Sequence, residues 1–401
     1  MPTPTKEELI EALSGITPAV VSVIHAYAGD PLMMTFNGQR FVLQIYAEIP
    51  EPNFDEDLPI IIDWGDNTIT VIDRNNLNDP NIEVRDGIIY KIHVYRTRCD
   101  HQISIYNASG ICFKETLDAI TINQWGKYKV TRGREMFADC SDITFNARDS
   151  PMFLTKCFSH MFRNSIIRGE LIWDTVNITN MRAMFLRCKL YCHTLTLNTS
   201  NVTDMSHMFS ECEINDISWN ISEWNTSSCS NMHRMFYEFT YFNDDLSQWD
   251  TSRVTNMRAM FYGCNIFHGD LSNWVVNNVI DMYSMFYHCE QFNGDLSRWE
   301  TGNATDMGLM FMGCRNFNGN LEYWNVGKVR NMNSMFSGCE SFNGNLSRWV
   351  VCNVTDMSSM LEYCEKFNSD LSDWRLDPKT KTSKMVWGCP RLTNIPPWVK
   401  H

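Results

Sequence analysis

Aromatic and sulfur-containing residues recur at a fixed interval along most of this chain. Tryptophan returns every 25 residues from Trp224 to Trp374, and a Met-Phe pair recurs with it from Phe137 onward until it degenerates to Leu361 and Val386. A period of about 20–50 residues is typical of solenoids, in which each repeat buries its apolar face against its neighbours. The number of Met-Phe positions predicts an array of about eleven coils.

One repeat shows the local structure that the pattern predicts. Apolar residues at i, i+3, i+4 and i+7 run from Met257 to Cys264, and this spacing predicts a short helix with one buried face. Asn256 precedes the segment and is of a residue type that caps a helix start. The Asn-Gly pair before Leu296 favours a tight turn, which leaves room for a brief strand. One helix, one turn and one strand per repeat predict an α/β solenoid.

Nine of the fifteen cysteines occupy one repeat position, and we expect them, the phenylalanines of the Met-Phe pairs and the tryptophans spaced by 25 residues to form ladders of buried side chains. Equivalent atoms in adjacent coils lie about 4.8 Å apart, farther than a sulfur–sulfur bond of about 2.05 Å, so the cysteines are predicted to be reduced. No Cys-x-x-Cys spacing favours zinc, and neither a metal nor a cofactor is expected. The predicted ladder residues are Cys140, Cys188, Cys212, Cys264, Cys289, Cys314, Cys339, Cys364, Cys389, Phe261, Phe286, Phe311, Phe336, Trp224, Trp249, Trp274, Trp299, Trp324, Trp349 and Trp374.

Two other features bear on chemistry. His288 precedes Cys289, but sibling repeats carry glycine or tyrosine at the histidine position, so no catalytic pair is expected. A second row is acidic and suits either the Asn-Gly turn or a calcium ion, of which the turn is favoured because the glycine-rich spacing of calcium-binding β-rolls is absent. This acidic row consists of Asp245, Asp270, Asp295 and Asp370, interrupted by Asn320 and Asn345.

The segments on either side of the array follow other patterns. Thr5 and Glu8 form a capping box at the start of a helical pattern that Gly29 ends. Alternating apolar residues then predict five strands, which favour a small all-β, sandwich-like domain. These strands are predicted at residues 41–49, 60–64, 68–72, 88–95 and 103–106. The predicted organisation is a helical segment over 1–30, the β domain over 31–125, the solenoid over 126–376 and a capping coil over 377–401.

Composition and charge limit the partners. The chain carries 34 Lys and Arg against 47 Asp and Glu, a net charge of -13. Because attraction to phosphate needs a basic face, nucleic-acid binding is not expected. The sequence shows neither a signal peptide nor a stretch of about 18 apolar residues, so secretion by a signal peptide and membrane insertion are not expected. We expect a location in a reducing cytoplasm or in a particle assembled there.

The repeat resembles a known family. Its Met-Phe-x-x-Cys-x-x-Phe step, as at Phe261 and Cys264, is similar to the Ala-Phe-x-x-Cys-x-x-Leu step of BspA-like leucine-rich repeats. The whole unit, over roughly residues 130–398, resembles the variant found in mycoplasma and firmicute surface proteins and in giant viruses. Trp64-Gly-Asp and His93-x-Tyr resemble features of polycystic-kidney-disease-type β-sandwiches. The resemblance implies a leucine-rich-repeat-type solenoid.

The same resemblance implies a non-enzymatic structural or protein-interaction role. The expected setting is a capsid-associated component of a giant-virus virion that uses the solenoid to dock other capsid or virion proteins. An adhesin that binds a host receptor or glycan and an intracellular scaffold are the alternatives. No small-molecule substrate is expected, and the sequence does not indicate which face of the solenoid binds.

Overall fold

The computed structural model describes residues 119–398 with gaps at 127, 215–217, 220 and 397, together with the strand backbones between 32 and 112. The predicted N-terminal helical segment lies outside the described residues. The chain divides into two compact units, which are described separately. The first comprises Met1–Ile178, Cys188–Asn198 and Ile214–Trp219, and the second comprises Thr179–Arg187, Thr199–Glu213 and Asn220–His401.

Extended structure is concentrated toward the N-terminal side of the described residues. The strands are β1 (Leu32–Asn37), β2 (Arg40–Phe41), β3 (Gln44–Ile45), β4 (Ile60–Asp63), β5 (Ile69–Ile72), β6 (Ile82–Arg85), β7 (Ile89–Ile92), β8 (Arg96–Thr97), β9 (Gln102–Tyr106), β10 (Ile111–Cys112), β11 (Ala119–Gln124), β12 (Lys129–Val130), β13 (Asp142–Phe145), β14 (Met152–Phe153), β15 (Ile166–Trp173), β16 (Lys189–Leu197), β17 (Glu213–Ile214) and β18 (Ser218–Trp219). One 3-10 helix, Ile221–Glu223, is the only helix in the described part of the chain.

One ten-stranded sheet contains both antiparallel and parallel strand pairs. Its order is β17-β16-β15-β13-β11-β1-β9-β4-β5, with β18 also paired to β16. β4, β5, β9 and β1 pair antiparallel, and β1 also pairs antiparallel with β11. From β11 onward the pairs are parallel, as in successive coils, and Ile120, Ile143 and Ile167 lie in register. Two-stranded sheets complete the set, pairing β10 with β3, β12 with β14, β2 with β8 and β6 with β7. The continuous parallel ladder therefore runs for about four turns.

In the second unit, the segment predicted to be a helix is a ribbon of tight turns. The amide of Met257 donates to the Asp281 carbonyl of the next coil at 3.0 Å, and every second amide as far as Gly263 does the same. Between them, the amides of Met260 and Tyr262 donate to the carbonyl three residues earlier, at 3.2 and 3.3 Å. An α-helix would direct each amide four residues back along its own chain. The predicted helix is therefore wrong.

Backbone conformation explains why a helical spacing gives no helix. Ala259 and Gly263 have φ of 52° and 74°, in the left-handed region, and the equivalent residues of the other coils share it. An isolated helix of nine residues is unstable, whereas the neighbouring coil offers an acceptor for every second amide. Two left-handed residues four apart direct the backbone to those acceptors and still leave the apolar side chains on one face.

The predicted α/β class and the predicted array of about eleven coils are both incorrect. The protein is a repeat β-solenoid, and the part of the chain that the structure describes contains almost no helix. In the second unit, the coils are linked by single-residue parallel bridges that run from Asn180 to Lys381. The strand predicted at Leu296 is a turn, in which the amide of Trp299 donates to its carbonyl at 3.1 Å. Counting one coil for each Met-Phe pair was wrong, because continuous strand pairing is confined to about four early turns and the later segments are joined by single-residue bridges.

The core of the second unit is a set of stacked rings. Phe286 lies 5.5 Å from Phe261 and 5.5 Å from Phe311, with interplanar angles of 7° and 5°. Trp274 and Trp299 stack at 6.5 Å and 1°. The three phenylalanines are 0% exposed and the two tryptophans are 3% exposed. Each coil therefore buries its apolar face against its neighbours, and this burial fixes the positions of the outward-facing side chains.

Candidate interaction surface

The cysteine ladder lies inside the coils. Cys289 is 0% exposed, and its Sγ donates to the Phe261 carbonyl of the preceding coil at 3.0 Å. Cys314 donates to Phe286 in the same way at 2.9 Å. Burial raises the pKa of the Cys289 thiol well above its usual range, and raises the pKa of Cys389, which lies nearer the surface, to about 11. These thiols are protonated at neutral pH and lack the thiolate that nucleophilic chemistry requires.

The remaining members of the three ladders follow the same inward arrangement. Cys140, Cys188, Cys212, Cys264, Cys339 and Cys364 are buried, as are Phe336, Trp224, Trp249, Trp324, Trp349 and Trp374. From Trp274 to Trp374, each of these tryptophans donates from Nε1 to a leucine carbonyl one coil earlier, as Trp299 does to Leu271 at 3.0 Å, and Trp249 donates to the Ile221 carbonyl at 2.8 Å. Such a bond satisfies the polar atom of an otherwise apolar ring. These residues hold the coils together.

The acidic row performs turn chemistry. The Oδ1 atom of Asp295 accepts the Ser297 amide at 2.9 Å, and Asn320 accepts the Glu322 amide at 3.1 Å in the same position. Hydrogen bonds from the Ser297 hydroxyl and amide hold the pKa of Asp295 below its usual range. Since an asparagine amide oxygen serves as well as a carboxylate, the row needs an acceptor and not a charge. Among the described residues, no group of three or more His, Cys, Asp or Glu is arranged to hold a metal ion.

The Asn and Asp residues predicted as helix caps act in a related way. Asn256 Oδ1 accepts the Arg258 amide at 3.0 Å, and Asp281 Oδ1 accepts the Tyr283 amide at 3.0 Å. An acceptor two residues before the donor closes an Asx turn, whereas a helix cap bonds the second or third residue of a helix. Asn256 and Asp281 do accept a local hydrogen bond, as predicted, but the element that follows each of them is a turn and not a helix.

His288 does not form a pair with Cys289. Its ring lies 4.5 Å from the Tyr287 ring, and it also covers Gly313 of the next coil, where an added Cβ would lie 2.8 Å from His288 Nδ1. The neighbouring thiol donates to Phe261, on the inside of the coil. The thiol therefore contacts the inside of the coil, whereas the imidazole contacts Tyr287 and Gly313.

A row of half-buried tyrosines and arginines crosses three successive coils of the second unit. Tyr262 stacks on Tyr237 at 4.6 Å and on Tyr287 at 4.2 Å, the latter with an interplanar angle of 5°. Four residues earlier in each coil lies the neighbouring column, which contains Arg258 and Tyr283. We call this surface the Tyr–Arg stripe. The Tyr–Arg stripe consists of Arg234, Tyr237, Arg258, Tyr262, Tyr283 and Tyr287.

Stacking and charge hold the Tyr–Arg stripe in one arrangement. The Arg258 guanidinium lies 4.0 Å from the Tyr283 ring centroid and forms an ion pair with Asp281 at 3.4 Å. The Arg234 guanidinium lies 4.8 Å from the Tyr237 ring centroid. Burial, with a smaller contribution from Tyr287, raises the pKa of Tyr262 to about 12. The stripe therefore offers neutral phenols and fixed cations at neutral pH.

A histidine beside the stripe is also neutral. Burial, and then the charges of Arg234 and Arg258, lowers the pKa of His233 to about 4. The ring of His233 lies 5.0 Å from that of His207. The neutral ring of His233 therefore adds aromatic surface without positive charge at the side of the stripe.

The sequence contains a signal for this surface, although no such surface was predicted from it. In later coils the Arg258 column holds only glycine, asparagine or serine, and the Tyr262 column holds methionine, serine, glutamate or tryptophan, while the core columns vary less. A solenoid does not need tyrosine or arginine at these positions to close. Their concentration in a few adjacent coils is therefore a departure from the repeat and indicates a local role.

Comparison with known proteins places most of the array in one family. A family model described as "Mycoplasma protein of unknown function, DUF285" matches residues 152–246, 213–318 and 295–398, which together exceed half of the chain. Comparisons with the curated proteins and with the solved structures gave no match. The finer resemblances to BspA-like and polycystic-kidney-disease-type domains stay predictions. Within the described residues, no helix has the length and apolar character needed to cross a bilayer. The chain belongs to the DUF285 family of Mycoplasma proteins of unknown function.

Proposed function

We propose that this chain is a non-enzymatic protein-interaction protein and that the Tyr–Arg stripe is its docking surface. The observation that carries the proposal is the stripe itself, a set of large side chains that the repeat does not require. Tyrosine and arginine are enriched among the residues that dominate binding energy at protein interfaces. A tyrosine has few rotatable bonds, and stacking restricts them further, so little side-chain entropy remains to be lost on binding.

The absence of an enzymatic role belongs to the same proposal. The thiols of the ladder are buried and protonated, and the thiol beside His288 donates to the Phe261 carbonyl inside the coil. The family match concerns Mycoplasma proteins and lends no support to a capsid-associated virion component. A particle, a cell surface and the cytoplasm are alternative settings for the same binding function, and the location of the protein in its own cells distinguishes them.

The test compares two variants built from residues that sibling coils already carry. The stripe variant combines Arg258→Asn, Tyr262→Ser, Tyr283→Asn and Tyr287→Ser, and asparagine and serine occur in these columns at Asn333 and Ser337. Both columns face outward, so the core ladders are unchanged. The full chain and the variant are purified by affinity tag from the cells that express the protein, and the bound proteins are quantified by mass spectrometry.

The matched control removes similar side chains from another set of columns. It combines Val275→Asn, Arg298→Asn, Tyr323→Asn and Val350→Asn, all at exposed positions. We expect a partner at fixed stoichiometry with the wild-type chain and the control, and loss of that partner with the stripe variant. Equal recovery with the stripe variant, or equal loss with both variants, would overturn the assignment of the surface.

A further inference from the structure

Two arginines beside the N-terminal end of the Tyr–Arg stripe carry side-chain donors that the fold leaves unused. Arg182 lies two coils before His233 in the same column, and its Nη1 comes within 3.5 Å of the Oγ of Ser206, in the coil between them. Arg234 follows His233 directly, and its guanidinium covers the Tyr237 ring at 4.8 Å. Within the part of the chain that the structure describes, neither arginine forms an ion pair with a carboxylate.

Two histidine rings contact each other in the same part of the unit. The ring of His233 lies 5.0 Å from that of His207 in the preceding coil. The Nδ1 atom of His233 and the Nε atom of Arg234 are buried, and no described residue provides a hydrogen-bond partner for either atom. Because buried polar atoms are nearly always paired, two unpaired ones side by side indicate a role outside the fold itself. We call Arg182, His207, His233 and Arg234 the Arg–His cluster.

Positive charge predominates at the Arg–His cluster. Burial, and then the charges of Arg234 and Arg258, lower the pKa of His233 to about 4, an effect that Asp281 opposes and Arg182 reinforces. Three arginines and one carboxylate therefore act on this imidazole. The carboxylates nearby have other partners, which are Arg258 for Asp281 at 3.4 Å, Arg187 for Glu211 at 2.8 Å, the Tyr237 hydroxyl for Glu238, and the Ser206 amide for Asp204 at 2.9 Å.

The repeat does not require these side chains. In later coils, the column of Arg182 and His233 holds only tyrosine, glycine, asparagine or serine beyond Arg258. The column of Arg234 holds alanine at Ala183 and Ala259, with the same left-handed backbone. Small residues therefore suffice to close a coil at both positions.

We propose that the Arg–His cluster binds a phosphoryl group on a serine, threonine or tyrosine of the protein that docks on the Tyr–Arg stripe; this inference rests on the proposed function and names the chemistry of its partner. A phosphoryl group brings nearly two negative charges and three strong acceptor oxygens. The planar fork of an arginine matches the geometry of phosphate. Recognition of a phosphorylated segment by clustered arginines is a common mode of peptide binding. The net charge of -13 repels nucleic acids and anionic membranes, so a single anion on a protein suits this cluster better.

Isothermal titration calorimetry on the full chain tests the proposal. The probes are the peptide Gly-Ala-Tyr-Ala-Gly with a phosphorylated tyrosine and its counterpart with phosphoserine, and the control is the unphosphorylated tyrosine peptide. We expect at least one phosphorylated peptide to bind about tenfold or more tightly than the control, because hydrogen bonds between charged groups are stronger than neutral ones. This affinity should fall as salt rises, because charges near the surface are screened.

Matched variants locate the site. The cluster variant combines Arg182→Ser with Arg234→Ala, and sibling coils carry these residue types in the same columns, so the variant should fold. The control variant removes two positive charges from exposed positions elsewhere, by Arg253→Asn and Arg330→Thr. We expect the cluster variant to bind the phosphorylated peptide about tenfold more weakly and the control to bind as the wild type does.

Three outcomes would overturn the proposal. The first is equal affinity for the phosphorylated and unphosphorylated peptides, and the second is equal weakening by the two variants. The third is binding of inorganic phosphate or of a thymidine oligonucleotide as tight as that of the phosphorylated peptide, which would make a free anion or a nucleic acid the ligand.

Phosphatase treatment separates this inference from the proposed function. When the cell extract is dephosphorylated before affinity purification, we expect the partner of the Tyr–Arg stripe to be lost. A partner that the wild-type chain still retains, and that the stripe variant loses, would overturn the phosphoryl site and leave the docking surface standing. Recovery of no stripe partner, with phosphorylated peptide still bound by the wild type and not by the cluster variant, would overturn the docking surface alone.

Discussion

Replacing Gly313 by alanine should destabilise the solenoid more than the same replacement at Gly338. Both glycines have left-handed φ, of 75° and 73°, so alanine carries the same backbone cost, about 1 kcal/mol, at either position. Their surroundings differ. A Cβ on Gly313 would lie 2.8 Å from His288 Nδ1, whereas a Cβ on Gly338 would be no closer than 3.6 Å to its nearest neighbour, the Cα of Gly313.

The difference between the two sites gives the expected magnitudes. Overpacking costs typically about 1–3 kcal/mol, so Gly313→Ala should lose about 2–4 kcal/mol of unfolding free energy and Gly338→Ala about 1 kcal/mol. Guanidinium unfolding followed by tryptophan fluorescence measures both losses. The double variant His288→Gly with Gly313→Ala removes the covering ring and should return to a loss of about 1 kcal/mol, which corresponds to a coupling of about 1–3 kcal/mol.

Two results would refute this reasoning. Equal losses at Gly313 and Gly338 would mean that the His288 ring does not cover Gly313. Absence of rescue in the double variant would mean that the larger loss has another source. His288→Gly alone is the control and should change stability little, because sibling coils carry glycine in this column.

Three further predictions concern the core, a charge and a thiol. Phe286→Ala should cost about 3–5 kcal/mol in chemical denaturation, because it removes a fully buried ring from a middle coil, and a loss below about 1 kcal/mol would place that ring outside the core. Burial, and a smaller repulsion from Asp281, raises the pKa of Asp306. The charged form is therefore disfavoured in the folded state, and Asp306→Asn should stabilise the protein by about 0.2–1 kcal/mol at neutral pH. This stabilisation should shrink as pH falls through the pKa of Asp306 in the folded state, because the wild-type carboxyl is then protonated and neutral. Equal advantage at neutral and acid pH would contradict this sign. Among the described cysteines, Cys352 is exposed, and every ladder thiol except the half-buried Cys389 is buried. A thiol reagent should therefore modify Cys352 before the buried ladder thiols in the native protein and reach those only on unfolding.

Composition and period predict the repeat solenoid, because each coil must bury the same columns of side chains. The strands β4, β5 and β9 also lie on segments where apolar residues alternate. The conformation within a coil was not predicted, because the i, i+3, i+4, i+7 spacing fits a turn ribbon as well as a helix. The residues that separate the two are the glycines at 263, 313, 338 and 388, which recur inside the supposed helix. Glycine there costs a helix about 1 kcal/mol and readily adopts left-handed φ.

The outward surface was harder to predict than the core. Stacking of Tyr262 on Tyr287 depends on which columns face outward, and a helix and a turn ribbon place them differently. The Tyr–Arg stripe follows once the hydrogen bonds between coils are known.

Because the register between neighbouring coils is constant in the second unit, evolution can change the length of the protein by whole coils. Removing residues 301–325 would bring Phe286 against Phe336, Trp299 against Trp349 and His288 over Gly338, and each contact is of a kind that already exists between neighbouring coils. A duplication of the same segment would satisfy the same contacts. Unequal recombination can therefore lengthen or shorten the outward columns without redesign of the core, and related chains can differ in how far apart they hold two surfaces while sharing one rule for folding.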